Sequence, residues 1–300
     1  MSDNIYDVFK EPPATAPQEK PRLSTVEWAA KKQAERDNAY GDIANMTEQI
    51  QHSPLALETY LTVQSRFPMH SVNNTMLIAM QDKNAKRIGS YDYWRQQGGT
   101  VLRNPNPIFI LEPNGQYERK DGSIGTNFDV KRVYDISQTN LRYTPPIRYD
   151  IRTKLLALIK RVPADIQVIE KMENGEPAIL FRPQENEIHV TQGLSPEKLF
   201  TGISRELAHA SFAGKDREYD RSAHDLQAMC ASFMLCKRYG VDISGFDLSE
   251  VSQALSGMDQ RAVNSFLDKP RTATEEISGH MEKVFAEIKQ PAQTEQSYGR

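Results

Sequence analysis

A chain of 300 residues has room for about two domains at roughly 100–200 residues each. Its 38% hydrophobic and 26% charged residues are the balance of a soluble globular protein rather than a fibrous or disordered one, and no run approaches the roughly 18–20 apolar residues that span a bilayer. The net charge of −3 identifies no partner, but its distribution is uneven: residues 62–161 hold 16 Lys/Arg against 8 Asp/Glu, leaving 21 against 32 elsewhere. A basic segment inside an acidic chain suits a phosphate backbone, whereas the same charges scattered over separate faces would only solvate the surface.

In chain order, the opening MSDNIYDVFKEPP is acidic and broken by proline, so it does not read as a secretory leader. The expected location is the cytoplasm. Residues 1–22 are polar and proline-rich and are expected to form a disordered arm. Ser24 caps a polar helical stretch containing Trp28. Ser53-Pro54 starts a second helix running to about Phe67. A short helix is expected over Ser71–Gln81, with Asn73 read as a cap and Asn74 as a group able to meet phosphate or base. Thr100–Leu102, Ile108–Leu111 and Phe128–Tyr134 have strand character, with Asn114-Gly115 and Asp121-Gly122 as turn dipeptides between the last two. Helices followed by a small meander predict an α+β domain over residues 23–143.

Thr144-Pro-Pro146 marks a boundary, and a second domain is expected over residues 147–290. It opens with a helix, Arg148–Arg161, and a hairpin follows, Ala178–Arg182 with Glu187–Thr191. Ser195-Pro196-Glu197 supplies an N-cap, a first-turn proline and a first-turn acid for a helix reaching about Phe212. Another helix covers about Ser222–Tyr239 and stops at Gly240. Two or three shorter helices precede a disordered tail over residues 291–300. Cys230 and Cys236, six residues apart on that last helix, lie about 120° apart around its axis, which suits buried free thiols better than a bridge.

Chemistry concentrates in two places. Between Arg66 and Arg103, the cations Lys83, Lys86, Arg87, Arg95 and Arg103 alternate with Tyr91, Tyr93 and Trp94. Single strands are held by these two kinds of group, cations along phosphates and rings against bases. Trp94 and one tyrosine could equally face a core, where large rings usually sit. Over some 80 residues this stretch resembles the N-terminal domain of the ArdC-type antirestriction proteins of plasmids and other mobile genetic elements. Four blocks carry the resemblance, SRFPMHSVNNTMLIAMQ (65–81), RIGSYDYWRQQGGTVLR (87–103), PIFIL (107–111) and VKRVYDISQT (130–139). It implies a single-stranded-DNA-binding domain that protects incoming DNA from restriction.

The resemblance also implies a zincin-like metallopeptidase second domain, in which a helix carries His-Glu-x-x-His. Its two histidines, at i and i+4, bind zinc and its glutamate polarises the attacking water. In Ser204-Arg-Glu-Leu-Ala-His-Ala210, Glu206 and His209 match the second and fifth motif positions, but Arg205 occupies the first. A guanidinium has no lone pair for a metal. The third-ligand position falls on Gln227, with His224 or Asp225 as substitutes. The pattern is therefore degenerate. No cofactor is expected, zinc is the only one the residues admit, and Arg205 paired with a nearby acid would replace the cation by a fixed charge. Three readings follow: a single-stranded-DNA-binding, antirestriction protein with a non-catalytic second domain available for a protein partner; a DNA-targeted zinc peptidase using Glu206 as base with His209, His224 and Asp225 as ligands; and a scaffold that does neither.

Overall fold

The computed structural model describes residues 24–289 apart from 120, 161, 174 and 217. The expected arm over 1–22 and tail over 291–300 lie outside the described residues. The fold is α+β. Helix α1 spans Thr25–His52 and begins with a reciprocal cap: Ser24 Oγ accepts from the Glu27 amide and the Glu27 carboxylate accepts from the Ser24 amide. Helices α2 (Pro54–Arg66) and α3 (Val72–Asp82) follow, each capped by a serine hydroxyl, Ser53 and Ser71. Asn73 is not the cap. Its side-chain oxygen accepts from Asn264 at 2.8 Å.

Strand β1 (Ile88–Gly89) leads directly into helix α4 (Tyr91–Gln96), capped by Ser90. A long antiparallel hairpin follows, β2 (Ile108–Glu118) with β3 (Ile124–Asp135), and the sheet order is β1-β3-β2. Of the two turn dipeptides, Asp121-Gly122 makes the turn, with Gly122 in the left-handed region. Asn114-Gly115 is absorbed as an irregularity where the register shifts between Pro113 and Gln116. The strand expected at Thr100–Leu102 reduces to one bridge, Val101 with Thr139.

Helix α5 spans Ile151–Ile159. A second sheet, ordered β4-β6-β5, combines β4 (Asp165–Ile169) parallel to β6 (Glu187–Thr191) with β5 (Ile179–Arg182) antiparallel to β6. Strand β4 had no sequence expectation, because only Ile166, Val168 and Ile169 are apolar in it and none is fully buried. Helices α6 (Pro196–Ala213) and α7 (Asp225–Tyr239) pack on one another, and α7 ends at Gly240 in the left-handed region.

The C-terminal stretch is not a set of short helices. After α8 (Ser249–Leu255) comes α9 (Gln260–Lys289), which continues through Pro270. A mid-helix proline removes one amide, here leaving the Phe266 carbonyl without its usual donor. Gln227 Nε2 donates to that carbonyl at 3.2 Å, and an apolar stripe including Val263, Leu267, Ile277, Met281 and Val284 is buried along the helix. Packing therefore holds the helix together where propensity alone would break it.

Two cores result. One gathers α1, α2, α3 and the hairpin together with Cys230, Phe233 and Met234 of α7, Leu248, Val251 and Leu255, and Val263 and Leu267 of α9. The other joins α5, the second sheet and α6 to Leu235, Cys236 and the end of α9. Both cysteines are buried free thiols. No helix among the described residues is long and apolar enough to cross a membrane.

Candidate functional site

The loop from Lys83 to Gly89 is held from two sides. Below it, Arg66 at the end of α2 donates to the carbonyls of Ala85 (2.7 Å) and Lys83. On the other side, the buried carboxylate of Asp135 accepts from the Lys86 and Arg87 amides at 2.7 and 2.9 Å through one oxygen and from the Ser137 amide through the other. Burial pushes the Asp135 carboxyl up, but these hydrogen bonds, led by Ser137, outweigh it and hold it below its ordinary value. The loop thus presents Lys86 and Arg87 outward from a fixed backbone.

Helix α4 then sorts its aromatics. Trp94 points inward, 0% exposed, with its indole N–H donating to the Tyr134 carbonyl at 2.9 Å. It is a core residue, and its expected place among the strand contacts is corrected. Tyr93 lies flat against Gly89, where a Cβ would fall 2.0 Å from the ring, so no other residue fits there without moving the tyrosine. Arg87 sits 5.5 Å from the Tyr93 and Trp94 ring centres and donates to Tyr93 Oη and to Gln97. Lys86 lies 4.9 Å over the ring of Tyr143. Tyr91, 54% exposed, and Arg95 occur at i and i+4, on one face of the helix.

Lys86 with Tyr143, and Arg87 with Tyr93 and Gln97, are therefore two cation–ring contacts on adjacent residues of the braced loop, the second close in sequence to Tyr91 and Arg95. Lys83 and Arg103 are exposed but, among the described residues, their side chains make no hydrogen bond, ion pair or ring contact with them. Asn74 is fully engaged elsewhere: its amide group donates to the Leu111 carbonyl and accepts from the Leu111 amide at 2.9 and 2.7 Å. Its expected role as a strand contact is corrected to an edge clip on β2. Sequence reasoning missed Asp135, Gln97 and Tyr143. The signal for Asp135 was its Asp-Ile-Ser-Gln context, a capping box at strand end.

The second constellation lies between α6, β5 and the start of α7. Glu206, 2% exposed, accepts from the Phe181 amide at 2.9 Å on the open edge of β5. Arg221 grips the same carboxylate with two guanidinium nitrogens, one at 2.9 Å, and also reaches Asp225 at 3.4 Å. Arg205 donates to the other oxygen of Asp225 at 2.6 Å. His209, completely buried, has Nε2 at 3.2 Å from Asp225 and Nδ1 at 2.9 Å from Tyr219 Oη.

The titration directions assign the protons. The hydrogen bond from His209, with Arg205 and Arg221 nearby, outweighs burial and holds the Asp225 carboxyl down at about 2, so it is ionised. Burial lowers His209, against the pull of Asp225, so the ring is neutral near pH 7. Burial raises the Tyr219 hydroxyl well above its ordinary value. A neutral ring that donates from Nε2 to an ionised carboxylate has its lone pair on Nδ1, and the Tyr219 hydroxyl donates to it.

These residues do not fit a metal. Both His209 nitrogens are occupied, both carboxylates are held by guanidinium groups, and His224 turns away to Gln227 Oε1 (2.7 Å) and Lys269 Nζ (3.0 Å). Among the described residues no group of three or more His, Cys, Asp or Glu is arranged to hold a metal ion. The placement of His209, His224 and Asp225 as a ligand triad is therefore corrected. Only His209 and Asp225 meet, and they meet as donor and acceptor. Arg221, which sequence reasoning overlooked, is the residue that organises the cluster. Its position four residues before Asp225 was the available signal.

No protein-family model matches this chain, and neither does any curated protein. Solved structures similar to it include two crystal structures of the antirestriction protein ArdC from plasmid R388. The chain resembles ArdC. Against metal-free ArdC, identity is 16% over 72% of this chain and 85% of that one, with a TM-score of 0.44. Against Mn(II)-bound ArdC, identity is 14% over 83% and 98%, with a TM-score of 0.48.

Proposed function

We propose that this chain is a cytoplasmic single-stranded-DNA-binding protein of a mobile element, acting in antirestriction, whose second half is not catalytic. The observation that carries the reading is the pair of cation–ring contacts, Lys86 with Tyr143 and Arg87 with Tyr93 and Gln97, close in sequence to Tyr91 and Arg95. Their cations are kept on a backbone braced by Arg66 and Asp135, and Tyr91 and Arg95 stand exposed. Such a set of groups meets phosphates with its cations and offers rings on which unpaired bases stack at roughly 1–3 kcal/mol each. The four sequence blocks that resemble ArdC-type proteins support the antirestriction role. A non-catalytic second half is supported by Glu206, whose two oxygens are paired with Arg221 and one of them also with the Phe181 amide, so that the carboxylate is held as an ion-pair partner rather than as a base.

The test is a fluorescence titration of a labelled oligothymidine with the full chain at about 50 and about 200 mM salt. Binding is expected, weakening steeply with salt. Tyr91→Ala should weaken it about tenfold, through one lost stacking partner. Arg87→Gln should weaken it and flatten the salt dependence by about one unit of slope. No binding at the lower salt would reject the proposal. Unaltered binding by the combined Lys86→Gln, Arg87→Gln, Tyr91→Ala variant would place the strand on another surface.

A further inference from the structure

The cluster between α6, β5 and α7 has the composition of a cation site with the cation already built in. Glu206 and Asp225 bring two carboxylates, and Arg205 and Arg221 bring two guanidinium groups, around His209. Glu206 is the buried member, 3% exposed at its side chain, while Arg221 retains 30% exposure. A carboxylate this deep needs a permanent counter-charge, because an unpaired buried anion is far costlier than a paired one. Arg221 supplies it in a form suited to the task, since a planar guanidinium can bind one carboxylate with two parallel N–H groups and still reach a second.

We propose that Arg221 is the resident cation of this cluster, doing permanently what a divalent ion would do reversibly, so that the junction of β5, α6 and α7 is held without metal. Three contacts make the replacement specific. Arg221 bridges Glu206 and Asp225, the residues that the zinc reading casts as base and ligand. Arg205 occupies the remaining oxygen of Asp225. Tyr219 closes the free lone pair of His209. Arg221 and Tyr219 both come from the segment between α6 and α7, so this segment is tied down by the same bonds that neutralise Glu206. The fixed carboxylate in turn holds the Phe181 amide, which blocks the open edge of β5.

Thermal unfolding of the full chain tests this with Mn(II), Zn(II) and EDTA as probes. The unaltered protein should melt at the same temperature, within about 1 °C, in metal and in chelator. Arg221→Gln should lower the midpoint by about 5–10 °C, the consequence of stranding the Glu206 charge in a protein of this size. Adding Glu206→Gln to that variant should recover most of the loss, because the stranded charge is gone and the amide oxygen can still accept from Phe181. Arg221→Lys should fall between, keeping the charge but losing the paired geometry. Stabilisation of the unaltered protein by Mn(II) or Zn(II), destabilisation by EDTA, or no recovery in the double variant would each overturn the proposal. None of these outcomes depends on DNA binding.

Discussion

Asp135 shows how much one side chain can organise. It ends β3, caps the following 3-10 turn through Ser137, and fixes the Lys86 and Arg87 amides across the sheet. Asp135→Asn keeps the shape but sets an amide N–H₂ against backbone N–H groups. It should cost about 2–3 kcal/mol, since bonds to a charged acceptor are the strong ones, and should weaken strand binding by loosening Arg87. The pH dependence has a definite sign. A carboxylate whose folded pKa is depressed contributes stability fully above its unfolded value, about 3.9, and loses it as pH falls through the folded value. The gap in melting temperature between the unaltered protein and Asp135→Asn should therefore be level from about pH 7 to 5 and close below about pH 4. A gap unchanged down to pH 2 would show that the charge is not what Asp135 contributes. Legibility at this scale depended on whether a role is local. Serine caps at 24, 53 and 195 were readable because both partners lie within three residues, whereas at α3 the cap is Ser71 and not the expected Asn73. Trp94 could be assigned either way until its acceptor, Tyr134, was placed 40 residues on.

At the level of elements, α3 treats the edge of β2 as a partner. Asn74 and Gln81 are seven residues apart and so share a helix face. Each satisfies both backbone groups of one strand residue, Leu111 and Phe109. Two amide side chains thus replace a neighbouring strand on an edge that would otherwise be open. Asn74→Ala should destabilise by about 2 kcal/mol, because it leaves an amide and a carbonyl of Leu111 without partners. Hydrogen exchange should quicken at Leu111 and not at the Asp121–Gly122 turn. Equal protection at Leu111 in both proteins would mean that water or a shifted helix takes over. None of this was legible in the Asn73-Asn74 pair, since an amide near a helix start serves equally as a cap, a strand clip or a ligand contact. Strand β4 and the length of α9 were hidden for a related reason. Strand β4 is only partly buried, and Pro270 within α9 is accommodated by Gln227, a partner 39 residues away in sequence.

Across the whole molecule, the boundary suggested by Thr144-Pro-Pro146 is crossed by the first core, while the second lies wholly beyond it. Cys230, Phe233, Met234, Val251, Leu255, Val263 and Leu267 all belong to the core built on α1, α2 and α3. Polar clasps follow the same route: Gln51 donates to the Leu255 and Met258 carbonyls at 2.8 Å each, Ser252 to that of Ile50 at 2.7 Å, and Arg238 to that of Ser65 at 3.0 Å. Each fully buried large apolar side chain is worth roughly 1.5–3 kcal/mol, so losing these partners removes about 10–20 kcal/mol, as much as the 5–15 kcal/mol that typically separates a folded domain from its unfolded state. A fragment of residues 24–146 should accordingly show no cooperative thermal transition by circular dichroism, while the full chain melts in a single step with the two cores unfolding together. The braced loop carrying Lys86 and Arg87 would then be formed only in the intact protein, because α2, which carries the Arg66 brace, packs against α7 and α8. A fragment that melts cooperatively within a few degrees of the full chain would show instead that the first core closes without its C-terminal partners.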